Sequence, residues 1–280
     1  MSMEDQRLKS LFKLLGSHAD SYDHLIRREI AAAIKEDPQR VQTALEEEFP
    51  QQAPVHIIHT LEEIAWEELA HAFARFSAKI NPDLEEGLAL LAKFYIPATL
   101  RENITGPIDE IARALRHALL NAKDHAEMAQ AMSRYFFNTL GIQILPANWD
   151  IQEISFVRFL QKHRGSGLCA ACLYMLVGER YGLDINLIDL AGRILVHLQD
   201  EQQSQSLFID PLDNGKILTL EDCQKHIDSR QLAWNDEFLT PLSSHQIVRR
   251  FIANMIFVLH KIHDERRLVY LRNYLEILRS

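Results

Sequence analysis

The spacing of hydrophobic residues predicts α-helices through almost all of the first 140 positions. Leu8, Leu11, Phe12 and Leu15 recur at intervals of three and four residues, which places them on one face of a helix. The same periodicity predicts further helices near 22–35, 37–49, 60–76, 83–95, 107–120 and 124–140. The segment Thr60–Glu63 has the form of a capping box and is interpreted as a helix start. This part of the chain is therefore predicted to be a helical bundle or array.

The pattern changes after Gly141, where short apolar runs between turn residues replace the helical period. An extended segment at 142–145 and a loop through Trp149 are followed by predicted helices at 153–163 and 168–181, the second ending at Gly182. Strands are predicted at 185–190, 194–198, 206–210 and 216–218, with a hairpin turn at 213–215. Thr219 is predicted to cap a helix through Ile227, and two helices at 245–263 and 265–278 are predicted to form a terminal hairpin.

Composition narrows the possible partners and the compartment. The 280 residues carry a net charge of −9, which argues against nucleic acid and anionic membrane surfaces as ligands. The first seven residues lack the apolar region of a signal peptide, and no apolar run is long enough to span a bilayer. The three cysteines form no evident disulfide framework. A cytoplasmic protein with a protein or peptide partner is the expectation.

The most informative residue is Cys169, which lies where the glycine-rich turn Arg164–Gly167 leads into an apolar helix. Two predicted strands follow, and they end near His197 and Asp210. A thiol at a helix N-terminus, followed by strands that can carry a base and a carboxylate, is typical of papain-type and transglutaminase-type centres. The helix dipole is expected to lower the pKa of such a thiol. Cys169 is interpreted as a small residue buried in the helix, and the alternatives are a reactive but non-catalytic thiol and a true nucleophile.

With these elements in place, the chain resembles the bacterial transglutaminase-like family that ends in tetratricopeptide-like helices, the SirB-type family. The resemblance covers roughly residues 85 to 280, through blocks that occur in the family's order. Arg164–Cys169 is similar to its turn basic-Gly-x-Pro-x-Ser/Cys, and Glu179–Leu183 to the helix end Arg-x-Leu-Gly-Leu. Ala191–Val196 is similar to the strand Pro-Gly-His-Phe-Leu-Val, and Phe208–Gly215 to Phe-Ile-Asp-Pro-Phe-Asn-Gly-Gly. Arg249–Ile256 looks like its helical tail.

The resemblance implies a triad of nucleophile, histidine and carboxylate, and here those positions hold Cys169, Arg193 and Asp210. Gly167 also stands where the family commonly has proline. Arginine cannot be deprotonated in a protein, so Arg193 cannot act as the general base and is expected to pair with Asp210 instead. His197 and His163 are the alternative bases, but four strand residues place His197 ~13 Å from the expected position.

Other pairs of metal-binding residue types are better explained as structure. Cys169 and Cys172 form half of a zinc or redox motif without a second pair at suitable spacing. Glu68 and His71 mimic half of a di-iron site, and a second copy is missing from the sequence. No metal and no cofactor are therefore predicted.

Together these observations predict an α-dominated α+β fold in three parts: an N-terminal helical region at 1–140, a transglutaminase-like core with a small antiparallel sheet at 141–240, and a C-terminal helical hairpin at 241–280. The resemblance and the missing histidine favour a non-catalytic, protein- or peptide-binding protein. The alternative is a cysteine-dependent hydrolase or acyltransferase that acts on amide bonds through Cys169. A helical scaffold without a site is the third reading.

Overall fold

A computed structural model describes residues 3–15, 22–145, 150–200 and 205–279. It is dominated by helices, with a small antiparallel sheet, so the predicted fold class is confirmed. The helices of the first half are α1 Met3–Leu15, α2 Asp23–Glu36, α3 Pro38–Glu48, α4 Val55–Ser77, α5 Leu84–Lys93, α6 Glu102–Leu120 and α7 His125–Ser133. A π-helical segment, Arg134–Thr139, extends the last of them.

Two predicted helix starts in this half are wrong. Helix α4 begins at Val55 because Pro54 occupies its N-cap position, and Thr60 lies inside the helix with its hydroxyl donating to the carbonyl of His56. Helix α6 begins five residues before the predicted 107, and Pro107 lies within it.

The second half contains the sheet. Its elements are β1 Gln143–Ile144, α8 Phe156–Lys162, β2 Arg164–Gly165, α9 Gly167–Glu179, β3 Ile185–Leu190, β4 Arg193–Asp200, β5 Gln205–Asp210, β6 Lys216–Leu218, α10 Leu220–Ser229, α11 Ser244–Lys261 and α12 Glu265–Ile277. Strands β3 to β6 form an antiparallel sheet in sequential order, and β1 pairs with β2 in parallel. The predicted helix at 153–163 is divided by Ser155, which caps α8 after a 3₁₀ turn. The predicted loop at 146–149 lies outside the described residues.

The largest hydrophobic cluster lies between the helices and one face of the sheet. It contains residues from α4, α5, α6, α9, α11 and α12, so its packing runs across positions 140 and 240. Trp66 is buried at its centre and donates from Nε1 to the carbonyl of Phe94 at 2.9 Å. Tyr274, from the terminal hairpin, donates to the carbonyl of Trp66 at 2.7 Å. The division into three domains remains a prediction.

The two faces of the sheet belong to different clusters, since successive strand residues point to opposite sides. Leu187, Val196 and Ile209 pack with α9 in the large cluster. The opposite face forms a small cluster with α10, made of Ile188, Leu190, Leu195, Phe208, Cys223 and Ile227. A third cluster joins α1, α2 and α3 to Ile64 of α4. Among the described helices, none is both long and apolar enough to cross a membrane.

Candidate active site

Cys169 lies in the first turn of α9, as predicted, but its side chain is completely enclosed. Ser166 is the N-cap residue, and its hydroxyl oxygen accepts from the backbone N–H of Cys169 at 3.3 Å. The same hydroxyl donates to Sγ of Cys169 at 3.4 Å, and the thiol donates to the carbonyl of Ile154 at 3.5 Å. The exposed fraction of Cys169 is 0%. Every residue from Gly167 to Gly178 is buried, so α9 is a central core helix rather than the wall of an open cleft.

This burial reverses the pKa shift expected from the sequence. Burial raises the pKa of Cys169 to about 12, and the hydrogen bonds from Ser166 oppose it only in part. Removing a thiolate from water can raise its pKa by several units, which outweighs the charge of a helix end. Burial also raises the pKa of Cys172 well above its ordinary value. The expected lowering of the thiol pKa is therefore wrong, and the interpretation of Cys169 as a buried helix residue is confirmed.

Arg193 and Asp210 lie together. The Asp210 side chain is buried, with Oδ2 paired to Nη2 of Arg193 and Oδ1 accepting from the N–H of Leu212 at 3.0 Å. Nε of Arg193 is buried and has no hydrogen-bond partner among the described residues. The carboxylate thus holds a guanidinium and caps the turn Pro211–Asp213, where an imidazole would be held in a complete triad.

The Arg193–Asp210 pair belongs to the α10 side of the sheet. Arg193 alternates in phase with Leu195, and Asp210 with Phe208, and both of these apolar residues pack against α10. Consistently, the charges of Arg193 and Asp210 affect the pKa of His226 on α10. The pKa of Cys169 is instead affected by its burial and by hydrogen bonds with Ser166. The hydrogen-bond partners of Cys169 within the described part of the chain are Ser166 and Ile154.

The side chain of Leu212 packs against Gly167. A Cβ atom built on Gly167 would lie 2.6 Å from Cδ2 of Leu212, closer than real Cβ contacts. A proline, which the family commonly has here, carries such a Cβ. The turn after β5 therefore packs against the beginning of α9, and the side chain of Leu212 occupies the space next to Gly167.

The alternative bases make other contacts. His197 stacks on Phe208 with ring centroids 4.9 Å apart, and its buried Nε2 has no partner among the described residues. Burial lowers the pKa of His197. His163 ends α8 in a left-handed conformation with φ of 52°. Neither imidazole hydrogen-bonds to Cys169 in the described structure.

Sequence reasoning missed Ser166, Ile154 and His226. Ser166 could have been found, because a serine three residues before a backbone N–H in a first turn is a common N-cap. His226 could also have been assigned to the inner face of α10, because it follows Cys223 by three residues on the same helical face. The contact between Ile154 and Cys169 depends on tertiary packing. Within the described residues, no group of three or more His, Cys, Asp or Glu side chains could hold a metal ion.

Comparison with known proteins identifies one family. The family model of the transglutaminase-like superfamily matches residues 102–253, more than half of the chain, and the match includes Cys169, Arg193 and Asp210. No curated protein and no solved structure matches. The SirB-type assignment, the tetratricopeptide-like nature of α11 and α12, and a bacterial origin remain predictions.

Proposed function

Because the chain belongs to the transglutaminase-like superfamily, we propose that it is a non-catalytic member that acts by binding a protein or peptide. The burial of Cys169 carries this proposal. A cysteine nucleophile must reach its substrate as a thiolate, and this thiol is 0% exposed with its pKa raised to about 12.

The composition of the triad positions supports the same conclusion. General acid–base catalysis contributes typically ~10²–10⁴-fold, and Arg193 stands where the base would stand. Asp210 is already neutralised by the guanidinium of Arg193 and cannot orient an imidazole without losing this partner. What the fold retains is a rigid α9-and-sheet core with its helices around it. The finer assignment, a SirB-type protein of the bacterial cytoplasm, rests on the resemblance of its motifs.

The first prediction concerns the reactivity of the three thiols. Cys169, Cys172 and Cys223 are all buried, so we expect each to react with a maleimide at least about a hundredfold more slowly in the native than in the denatured chain. Protein labelled at neutral pH and digested for mass spectrometry gives the three rates separately. Cys169→Ala is the matched control for the assignment. Rapid labelling of Cys169 in the native protein at neutral pH would contradict the proposal and favour the amide-bond enzyme.

The second prediction concerns catalytic activity. It asks whether a histidine at position 193 is enough to make the protein an enzyme. We expect neither wild type nor Arg193→His to hydrolyse fluorogenic amides or to transfer an acyl group to a labelled amine, because the thiol of Cys169 stays buried and position 193 lies on the α10 side of the sheet. Cross-linking in a bacterial lysate should recover the same partner with wild type and with Cys169→Ala. Activity that disappears in Cys169→Ala would establish catalysis instead.

A further inference from the structure

Helix α10 is a peripheral element that covers the far face of the sheet. Its inner face carries Cys223 and Ile227, which complete the small cluster with Leu195 and Phe208. Its most extensive contacts with the sheet are to β5 and β6, and the large core lies on the other side of the sheet. A capping box at Thr219 supplies local hydrogen bonds at the start of α10 that do not depend on the sheet.

An unsatisfied imidazole lies within this small interface. His226 is on the same face of α10 as Cys223 and Ile227, and its Nε2 is buried without a hydrogen-bond partner in the described structure. Nε of Arg193, across the interface on β4, is likewise buried and unpartnered. A buried polar atom without a hydrogen-bond partner opposes docking, because the atom could bind water when the helix is released.

The charges that face His226 come from three elements. Arg193 on β4 and Arg230 after α10 are cationic, and Asp210 at the end of β5 is anionic. Asp210 is already paired with Arg193, and Arg230 donates to the carbonyl of Ala191 at 2.9 Å. On β6, Lys216 acts on Asp222 at the start of α10 rather than on His226. A protonated imidazole would therefore add a third positive charge to a group that contains one carboxylate.

The direction of the pH effect follows from these groups. Burial lowers the pKa of His226, Arg193 and Arg230 lower it further, and Asp210 opposes them. A histidine with a lowered pKa in the docked state binds its proton more readily when α10 is released. Docking is therefore at full strength above the ordinary histidine pKa of about 6.5 and weakens as the pH falls below it.

We propose that α10 is a pH-sensitive flap, in which protonation of His226 releases the helix from the sheet while the rest of the fold stays intact. Release uncovers an apolar sheet face with the Arg193–Asp210 pair at its edge and exposes the thiol of Cys223. Such a surface, available in acid and covered at neutral pH, would give a binding protein a regulated contact face. The flap operates whether or not Cys169 reacts.

The thiol of Cys223 reports the opening directly. Each cysteine is labelled with 4,4′-dithiodipyridine at about pH 7.5, 6.5 and 5.5, and each rate is divided by that of the denatured chain at the same pH. We expect the corrected rate of Cys223 to rise severalfold from the highest to the lowest pH. The upper limit is about tenfold, because one proton that binds with the ordinary pKa of about 6.5 in the released state allows no more at about pH 5.5. Cys169 and Cys172, on the large-core side, should not change. His226→Gln should abolish the rise, and the exposed His71→Gln should retain it.

A second variant and a direct titration keep the test decisive if His226→Gln folds poorly. Arg230→Gln removes one of the two cations and should reduce the rise, and the NMR titration of the His226 imidazole should give a pKa below the ordinary histidine value of about 6.5. The proposal is overturned if Cys223 is as protected as Cys169 at every pH. It is also overturned if all three cysteines open together, or if the rise persists in His226→Gln.

Discussion

Replacing Gly215 with alanine should lower the free energy of unfolding by about 4 kcal/mol, the sum of a strained backbone of roughly 1–2 kcal/mol and an overpacked core of roughly 1–3 kcal/mol. Gly215 has φ of +74°, in the left-handed region. An added Cβ would contact the hydroxyl of Tyr174 and would lie 2.6 Å from Oγ of Ser133. Those two hydroxyls are hydrogen-bonded to each other at 2.8 Å, and Tyr174 is fully buried, so its ring has little room to move away.

Gly182→Ala is the matched control, because it isolates the backbone contribution. Gly182 has φ of +66° but open space around its Cβ position, so alanine there should cost about 1 kcal/mol. Urea denaturation followed by circular dichroism measures both variants. Equal losses for the two glycines would show that the hydroxyl pair yields to the new methyl group and would contradict the packing argument.

Arg193→Ala should cost about 3 kcal/mol, because it leaves the carboxylate of Asp210 in the interior without its partner. The Asp210 side chain is 2% exposed and the Arg193 side chain 30% exposed, so the lower end of the range for breaking a buried ion pair applies. The N–H of Leu212 still satisfies one carboxylate oxygen in the variant, while the other loses its guanidinium. The same urea titration gives the loss.

Two controls identify the source of that loss. The double variant Arg193→Ala/Asp210→Asn has no unpaired buried charge, and the side-chain oxygen of asparagine can still accept from the N–H of Leu212. It should therefore be more stable than Arg193→Ala alone. Lys225→Ala breaks the exposed pair Lys225–Glu221, whose side chains are 66% and 74% exposed, and should cost less than about 1 kcal/mol. A loss at Arg193 no larger than at Lys225 would mean that the pair contributes as a surface ion pair does.

The sequence predictions are most accurate where a structure depends on residues that are close together in the chain. Thr219 and Ser243 cap α10 and α11 through capping boxes, and both helices begin within two residues of the expected position, because a cap depends on three or four neighbouring residues. The hairpin turn at 213–215 was also predicted correctly, since Asn214 and Gly215 both have positive φ. The wrong start at Thr60 arose from a local pattern within a longer helix that Pro54 begins.

The predictions for the candidate site also divide into those set by local sequence and those that depend on tertiary packing. The sequence by itself determined that Cys169 begins a helix after a glycine turn and that Asp210 ends a strand. That Arg193 holds the base position remains a prediction from the resemblance. Tertiary structure decided how these side chains are placed. Ile154 and Ser166 enclose the thiol, and the alternation of β4 and β5 directs the Arg193–Asp210 pair toward α10. Burial overrides the helix dipole at Cys169 because desolvation depends on every neighbour in space, which no local spacing of residues encodes.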